Sequence, residues 1–295
     1  MKKITLGNSL ILLLTACIWG VAFVAQSVGM DYMGPLTFTG LRFLMGGILI
    51  LPLAVWRWRF HRRIGEEIPA KITWKGGCMC GLALCTATLL QQWGLLHTTV
   101  GKAGFLTALY IIIVPVLGLF LGKKVGGRVW ICAGIAVFGL YLLCLKESFS
   151  MAKGDLLVLI CAVLFSLHIL IIDRVSPKTD GVVLSCIQFF VAGVIGMTGA
   201  FLWEAPSVSQ IAAGLIPLAY AGFLSSGVAY TLQIIGQKNM DPTAASLILS
   251  LESVISVLAG WLILDQRLSG RELLGCGMVF AAVILVQLPE RKKQR

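Results

Sequence analysis

Charge is what this 295-residue sequence has least of: Asp, Glu, Lys and Arg together make up 13% of it, while 58% is hydrophobic. Ordinary soluble domains carry roughly a quarter charged residues. So few ionic groups cannot clothe a solvated surface, which excludes a water-soluble globule and leaves the bilayer as solvent. Acidic residues are scarcer than basic ones, 13 against 24. The nine cysteines show no paired metal-ligand spacing: Cys78 and Cys80 stand one residue apart with no second pair nearby. No metal or other cofactor is expected, and cysteines inside apolar runs read as small fillers. A phosphate loop is also missing, since 118–124 is one residue short and lacks the closing Ser or Thr, which excludes an ATP-driven pump. No nucleophile elbow, zinc-peptidase motif or carboxylate cluster is present, so an enzyme is not expected.

What fills the sequence instead is ten charge-poor apolar runs, at 8–28, 35–56, 74–96, 104–121, 128–145, 155–172, 182–203, 211–235, 244–264 and 273–288. Each is close to the roughly 20 residues a membrane helix needs. The fold class predicted is therefore all-α integral membrane with ten transmembrane helices. The net charge of +11 would suit nucleic acid, but its distribution does not. With the N-terminus in the cytoplasm, 18 of the 24 lysines and arginines fall in cytoplasmic segments, five fall outside, and Arg42 lies within a run. That asymmetry is the positive-inside pattern. It predicts a multi-pass protein of the cell (inner) membrane with both termini cytoplasmic, and no nucleic-acid partner. Leu14-Thr15-Ala16-Cys17 resembles a lipoprotein cleavage box, but apolar sequence continues beyond it to Val28, so an uncleaved first span is expected.

The sequence also repeats. Ala16, Trp19 and Leu41-Arg42-Phe43 are echoed 146 residues later by Ala162, Phe165 and Ile187-Gln188-Phe189. Gly94, Ala103, Leu109 and Gly118 recur 142 residues later as Gly236, Ala245, Leu251 and Gly260, and Gly127-Arg128 recurs as Gly270-Arg271. The change of offset fits the longer basic connection 57–75 in the first half. Two five-helix units are expected, 8–146 and 153–288, followed by a basic cytoplasmic tail, 289–295. An odd number of helices per unit inverts the second relative to the first, the build of many secondary transporters, whose substrate site lies where the halves meet. The offsets pair Trp19 with Phe165, Gln91 with Gln233, Tyr110 with Glu252, Ala22 with His168 and Arg42 with Gln188.

Glu252 falls near the middle of the ninth run, where a charge costs roughly 2.5–3.5 kcal/mol on insertion scales. A carboxyl there needs a partner or a task, and taking up and releasing a proton is the task that couples a gradient to transport. Arg42 is read as a structural charge, and two arrangements stand open: snorkelling toward headgroups or pairing with Glu252. Gln91 and Gln233 offer uncharged donors and acceptors to a polar metabolite, or join helices. Trp19, Phe23 and Gln26 share one helical face; so do Thr107 with Tyr110, Phe165 with His168, and Ser226 with Tyr230 and Gln233. Rings beside one acidic group suit an amine or aromatic compound, although aromatics at this spacing also serve packing. The candidate substrate-contacting set is Trp19, Gln91, Tyr110, Phe165, His168, Tyr230, Gln233 and Glu252, with Glu252 also the proton-coupling residue; a buried neutral role stands open for His168.

These residues resemble the drug/metabolite transporter superfamily, specifically proteins with two tandem EamA-like domains. The resemblance rests on Trp19-Gly20-x-x-Phe23, Leu41-Arg42-Phe43, Gly94 through Ala103-Gly104-Phe105, Leu251-Glu252-Ser253-Val254 and Gly260-Trp261-x-x-Leu264-Asp265. It departs from the family at Ser253, where a proline is usual and a kink is therefore expected to be lost, and at Asp265, where a glutamate is usual. The resemblance implies a ten-helix basket around a central cavity and transport, often outward, of amino acids, metabolites or toxic organic compounds. The expectation is thus a secondary active transporter, an exporter of small organic metabolites such as amino acids or amine-containing compounds, proton-coupled and working by alternating access. Its partners are a small-molecule substrate and membrane lipids, with a homo-oligomer left open. A channel, or a sensor without transport coupling, is the alternative.

Overall fold

The computed structural model describes residues 6–66, 68–98, 100–123, 125–144, 153–264 and 269–287. The tail 289–295, Asp265 and the expected lysine and arginine landmarks at 2, 3, 124, 146 and 267 lie outside the described residues. Within them every regular element is helical and none is a strand. Helix α1 (Leu6–Gly29) runs through Cys17 without interruption, followed by α2 (Pro35–Arg63) and α3 (Ala70–Leu95). The fourth apolar run is two helices, α4 (Val100–Ala108) and α5 (Tyr110–Phe120), and α6 (Gly127–Cys144) follows. Next come α7 (Lys153–Val175), a 3-10 turn at Ser176–Lys178, and α8 (Gly181–Trp203). The eighth run is a composite of α9 (Val208–Ala213), α10 (Leu215–Ala219), a π-helical stretch (Tyr220–Tyr230) and α11 (Thr231–Gln237). The ninth divides into α12 (Pro242–Leu249) and α13 (Leu251–Leu264), and α14 (Gly270–Gln287) ends the described chain.

Among the described residues eight helices are long and apolar enough to cross a membrane, two fewer than the ten expected. The fifth and tenth runs form shorter apolar helices, Gly127–Leu142 and Leu273–Val286, which pack on each other. The outward-facing side chains are apolar, among them Phe120, Phe201, Ile216 and Leu262. This is a multi-pass all-α membrane protein.

Local chemistry fixes where the helices start. Asp180 accepts from the backbone N–H groups of Val182 (2.9 Å) and Val183 (3.1 Å) at the head of α8. Asp241 does the same for Thr243 and Ala244 at the head of α12, with Pro242 in the first turn where no N–H is missed. The head of α2 has no capping side chain of its own. Glu204, just past α8, takes that place from a distance, accepting from the N–H of Leu36 (2.8 Å) and from the N–H and hydroxyl of Thr37 (2.7 Å each). A carboxylate there answers both the unpaired N–H groups and the positive end of the helix dipole.

Small residues then let the helices close up. The most extensive contact joins α2 to α8. A Cβ on Gly196 would lie 2.8 Å from the Cα of Gly40, so the backbones touch there. Gly77 and Gly81 of α3 likewise meet Ile187 and Val191 of α8. In lipid there is no hydrophobic force between helices, and close backbone approach of this kind is what holds them. At the ends, Arg57 pairs with Asp180 (2.6 Å), Lys102 with Asp155, and Lys123 with Asp173.

Candidate functional site

At the centre, α1, α2, α3, α4, α5, α7, α11, α12, α13 and the π-helical stretch line a narrow space. Its wall is Trp19, Phe23, Gln26, Arg42, Gln91, Thr107, Tyr110, Phe165, Ile169, Ser225, Tyr230, Gln233, Leu249 and Glu252. Seven of the eight residues expected to contact substrate are here. His168 is the exception: it is fully buried behind the wall, its Nε2 3.0 Å from Gln188 Oε1 and its ring edge-on to Tyr230 at 6.2 Å. The physical reason is helix phase. Phe165 and Ile169, four apart on α7, own the inward face, and His168 is rotated off it toward α8.

Two helix breaks deliver the central pair. The α-helical ladder stops at Leu109, and Tyr110 opens α5; it stops again at Ser250, and Glu252 lies in the first turn of α13. Tyr110 donates from its hydroxyl to Glu252 Oε1 at 2.9 Å. Without a proline at 253 the ninth run is nonetheless interrupted, at Ser250. Near that interruption Ser246 donates to Thr243 O at 2.8 Å and Ser250 to Leu247 O at 2.7 Å. Ser253 itself donates to Gly104 O at 2.9 Å and ties α13 to α4. The start of a half-helix also favours negative charge, which suits Glu252 to its place.

Arg42 adopts neither arrangement left open by the sequence. It is 1% exposed, so it does not snorkel, and among the described residues no carboxylate lies within ion-pair distance of it. Its three nitrogens donate to neutral oxygens: Nη1 to Gln26 Oε1 (2.7 Å), Nη2 to Ser225 Oγ (2.9 Å) and Nε to Ser226 Oγ (3.0 Å). The guanidinium also lies 5.2 Å from the ring centre of Phe43. The cavity therefore carries a guanidinium and a carboxyl that are not partners of each other.

The remaining wall is aromatic and amide. Trp19 and Tyr230 meet at 4.6 Å between ring centres, and Trp19 Nε1 donates to Ser225 O at 3.2 Å. Gln91 donates to Thr107 Oγ1 at 3.1 Å, whereas Gln233 keeps a buried Oε1 without a partner. Sequence reading missed Ile169, Ser225 and Leu249. The repeat offsets contained two of them, since Phe23 maps by 146 to Ile169 and Thr107 by 142 to Leu249. With these, ten of the fourteen wall residues form five offset pairs. Ser225 had no such signal. It and Tyr230 are five apart, off one face of an α-helix but aligned in the π-helical stretch that holds them.

The chain belongs to the EamA-like transporter family, whose model matches residues 6–145 and again 152–288. It is a membrane transporter of that family. Relatives include an uncharacterized transporter of Archaeoglobus fulgidus, 27% identical over 94% of this chain and 84% of that protein. The inner membrane transporter YedA of Escherichia coli is 25% identical over 92% of this chain and 87% of its own length. The transporter YoaV of Bacillus subtilis is 23% identical, with 97% of each covered. A solved crystal structure of another protein has the same fold, with a TM-score of 0.78 at 18% identity over 95% of this chain and 96% of that one.

Proposed function

We propose that the protein is a secondary active transporter that exports amino acids or other small amine-containing metabolites in exchange for protons, by alternating access. The observation that carries this reading is a guanidinium and a carboxyl in one buried wall, Arg42 and Glu252, each hydrogen-bonded to neutral groups and not to the other. An ammonium group fits beside the Glu252 carboxyl and the faces of Trp19 and Tyr230, a carboxylate fits the Arg42 fork, and Gln91 and Gln233 supply neutral hydrogen bonds between them. Proton uptake at Glu252 and ammonium binding there compete for the same oxygens, which is how one site exchanges two cargoes.

The same proposal takes the chain as ten spans in two inverted units, 8–146 and 153–288. Helices α6 and α14, 18 residues each, reach about 27 Å at the α-helical rise and serve as the fifth and tenth spans. The five offset pairs facing one space support this, because a pseudo-twofold axis in the membrane plane brings equivalent residues together. Both termini are then cytoplasmic in the inner membrane. The breaks in α4–α5 and α12–α13 and the wide π-helical turns are places where a span bends without unfolding.

A panel of amino acids, amines and organic acids tests the cargo, read first as thermal stabilisation of the purified protein and then as saturable uptake into everted vesicles. Compounds carrying an ammonium group should stabilise and be taken up; uptake that never saturates would instead favour the channel reading. Arg42→Met should abolish transport of amino acids while sparing amines without a carboxylate.

A further inference from the structure

A larger depression than the central space lies elsewhere on the molecule. It lies on the outer surface over α8, where α2 and α3 each pack more extensively on α8 than on each other and form its two walls. The groove is apolar, with Leu51 and Trp58 on one wall, Trp74 on the other, and Phe190, Val194 and Ile195 along the floor, and it has a volume of about 660 Å³. Its floor extends from Val183 to Ile195, about 18 Å at the α-helical rise. That is about the depth of one leaflet of a hydrocarbon core some 30 Å thick.

A second depression lies on the other flank of α2, bounded by Pro52, Trp56, Phe60 and Arg63. Val55 and Arg59 belong to both depressions and form the ridge between them. The chemistry changes at one end of this ridge. Trp58 and Trp74 mark the level where aromatic side chains meet headgroups, and Arg59 and Arg63, four apart on α2, project beyond them. Their neighbours are already engaged: Arg57 binds Asp180, and His61 lies 3.3 Å from both Asp180 and Glu66. Arg59 and Arg63 have no hydrogen-bond or ion-pair partner among the described residues.

We propose that this surface binds one anionic diacyl phospholipid, its phosphate held between Arg59 and Arg63 and its two acyl chains lying on either side of the Val55–Arg59 ridge. A cationic pair beside two separate depressions, the larger of them apolar and the smaller walled by Pro52, Trp56 and Phe60 as well as by the arginines, matches a molecule with one negative head and two tails; a single-chain amphiphile would leave one depression empty. The inference does not depend on the transport reading, since none of these residues lines the central space.

Native mass spectrometry of the full-length protein tests it, with phosphatidylglycerol, phosphatidylethanolamine of the same chains, and lyso-phosphatidylglycerol as probes. One phosphatidylglycerol per protein should bind more tightly than either of the others. Arg59→Gln and Arg63→Gln should each weaken its binding about fivefold and leave phosphatidylethanolamine binding unchanged. Val194→Trp, on an exposed position of the groove floor, should weaken both diacyl lipids; melting temperatures measured without added lipid report whether each variant is folded. Equal retention of the two headgroups, indifference to both arginine substitutions, or a dimer that Val194→Trp dissolves would overturn the proposal, the last by assigning the groove to a second copy of the chain.

Discussion

Tyr110 and Glu252 are 142 residues apart in sequence and 2.9 Å apart in space, joined by a hydrogen bond from the phenol to Oε1. That separation is the offset at which the second half of the sequence echoes the first. Tyr110 directly follows the break at Leu109 and Glu252 lies two residues past the break at Ser250, so the helix interruptions and the polar contact fall close together.

Removing the phenol leaves a buried carboxyl oxygen without its donor, which typically costs about 1–3 kcal/mol. Tyr110→Phe should therefore lower the melting temperature of the detergent-purified protein. Much of that loss should vanish when Glu252→Leu, which removes the acceptor, is already present. A double-mutant cycle measures this directly, with a coupling of about 0.5–3 kcal/mol expected for residues in contact.

Arg42 is held by three acceptors in three directions, on Gln26, Ser225 and Ser226. A lysine ammonium keeps the charge but not the planar fork. Arg42→Lys should destabilise the protein by about 1–3 kcal/mol, as expected when a buried hydrogen-bond partner is lost, and should raise the KM for amino acids more than it lowers the maximal rate. Thermal melts and vesicle uptake read the two effects separately.

The α2–α8 seam has no room for a side chain at Gly196, where a Cβ would meet the backbone N and Cα of Gly40 at 2.8 Å. Backbone cannot give way as a flexible side chain can. Gly196→Ala should cost about 1–3 kcal/mol by overpacking, visible as a lower melting temperature. Gly127→Ala, at a position where a Cβ meets nothing, should leave the melting temperature unchanged.

Asp180 lies outside the spans, between the 3-10 turn and α8. Burial works against its charged form, but hydrogen bonds from Arg57 and from the N–H groups of Val183 and Val182 outweigh it and hold the carboxyl below its ordinary value of 3.8. A carboxyl depressed in the folded state contributes stability that is fully present above its unfolded pKa and fades as pH falls through the folded one. Wild type should lose melting temperature as pH drops below about 3.8, and Asp180→Asn should be less stable at neutral pH and lose less over the same acid range.

Much of this was legible in the sequence because a membrane helix announces itself by length and polarity alone. The long spans, the family motifs and seven of the eight expected wall residues follow from hydropathy and one internal repeat. What sequence could not supply was phase and local winding. His168 is polar and only one residue short of inward-facing Ile169, yet it turns toward Gln188. Ser225 enters the wall only because the chain there is π-helical. The interruption at Ser250 stands although no proline occupies position 253, where its absence had suggested a straight helix. The acceptors of Arg42 come from α1 and the π-helical stretch, and partner choice of that kind depends on side-chain direction rather than depth.

The most direct measurement is substrate flux in proteoliposomes under an imposed pH gradient, comparing wild type with Glu252→Gln. If Glu252 carries the coupling proton, wild-type flux will rise with the gradient, and the variant, still folded and still binding substrate by thermal shift, will lose that response. A Glu252→Gln protein whose flux follows the gradient as wild type does would contradict the assignment.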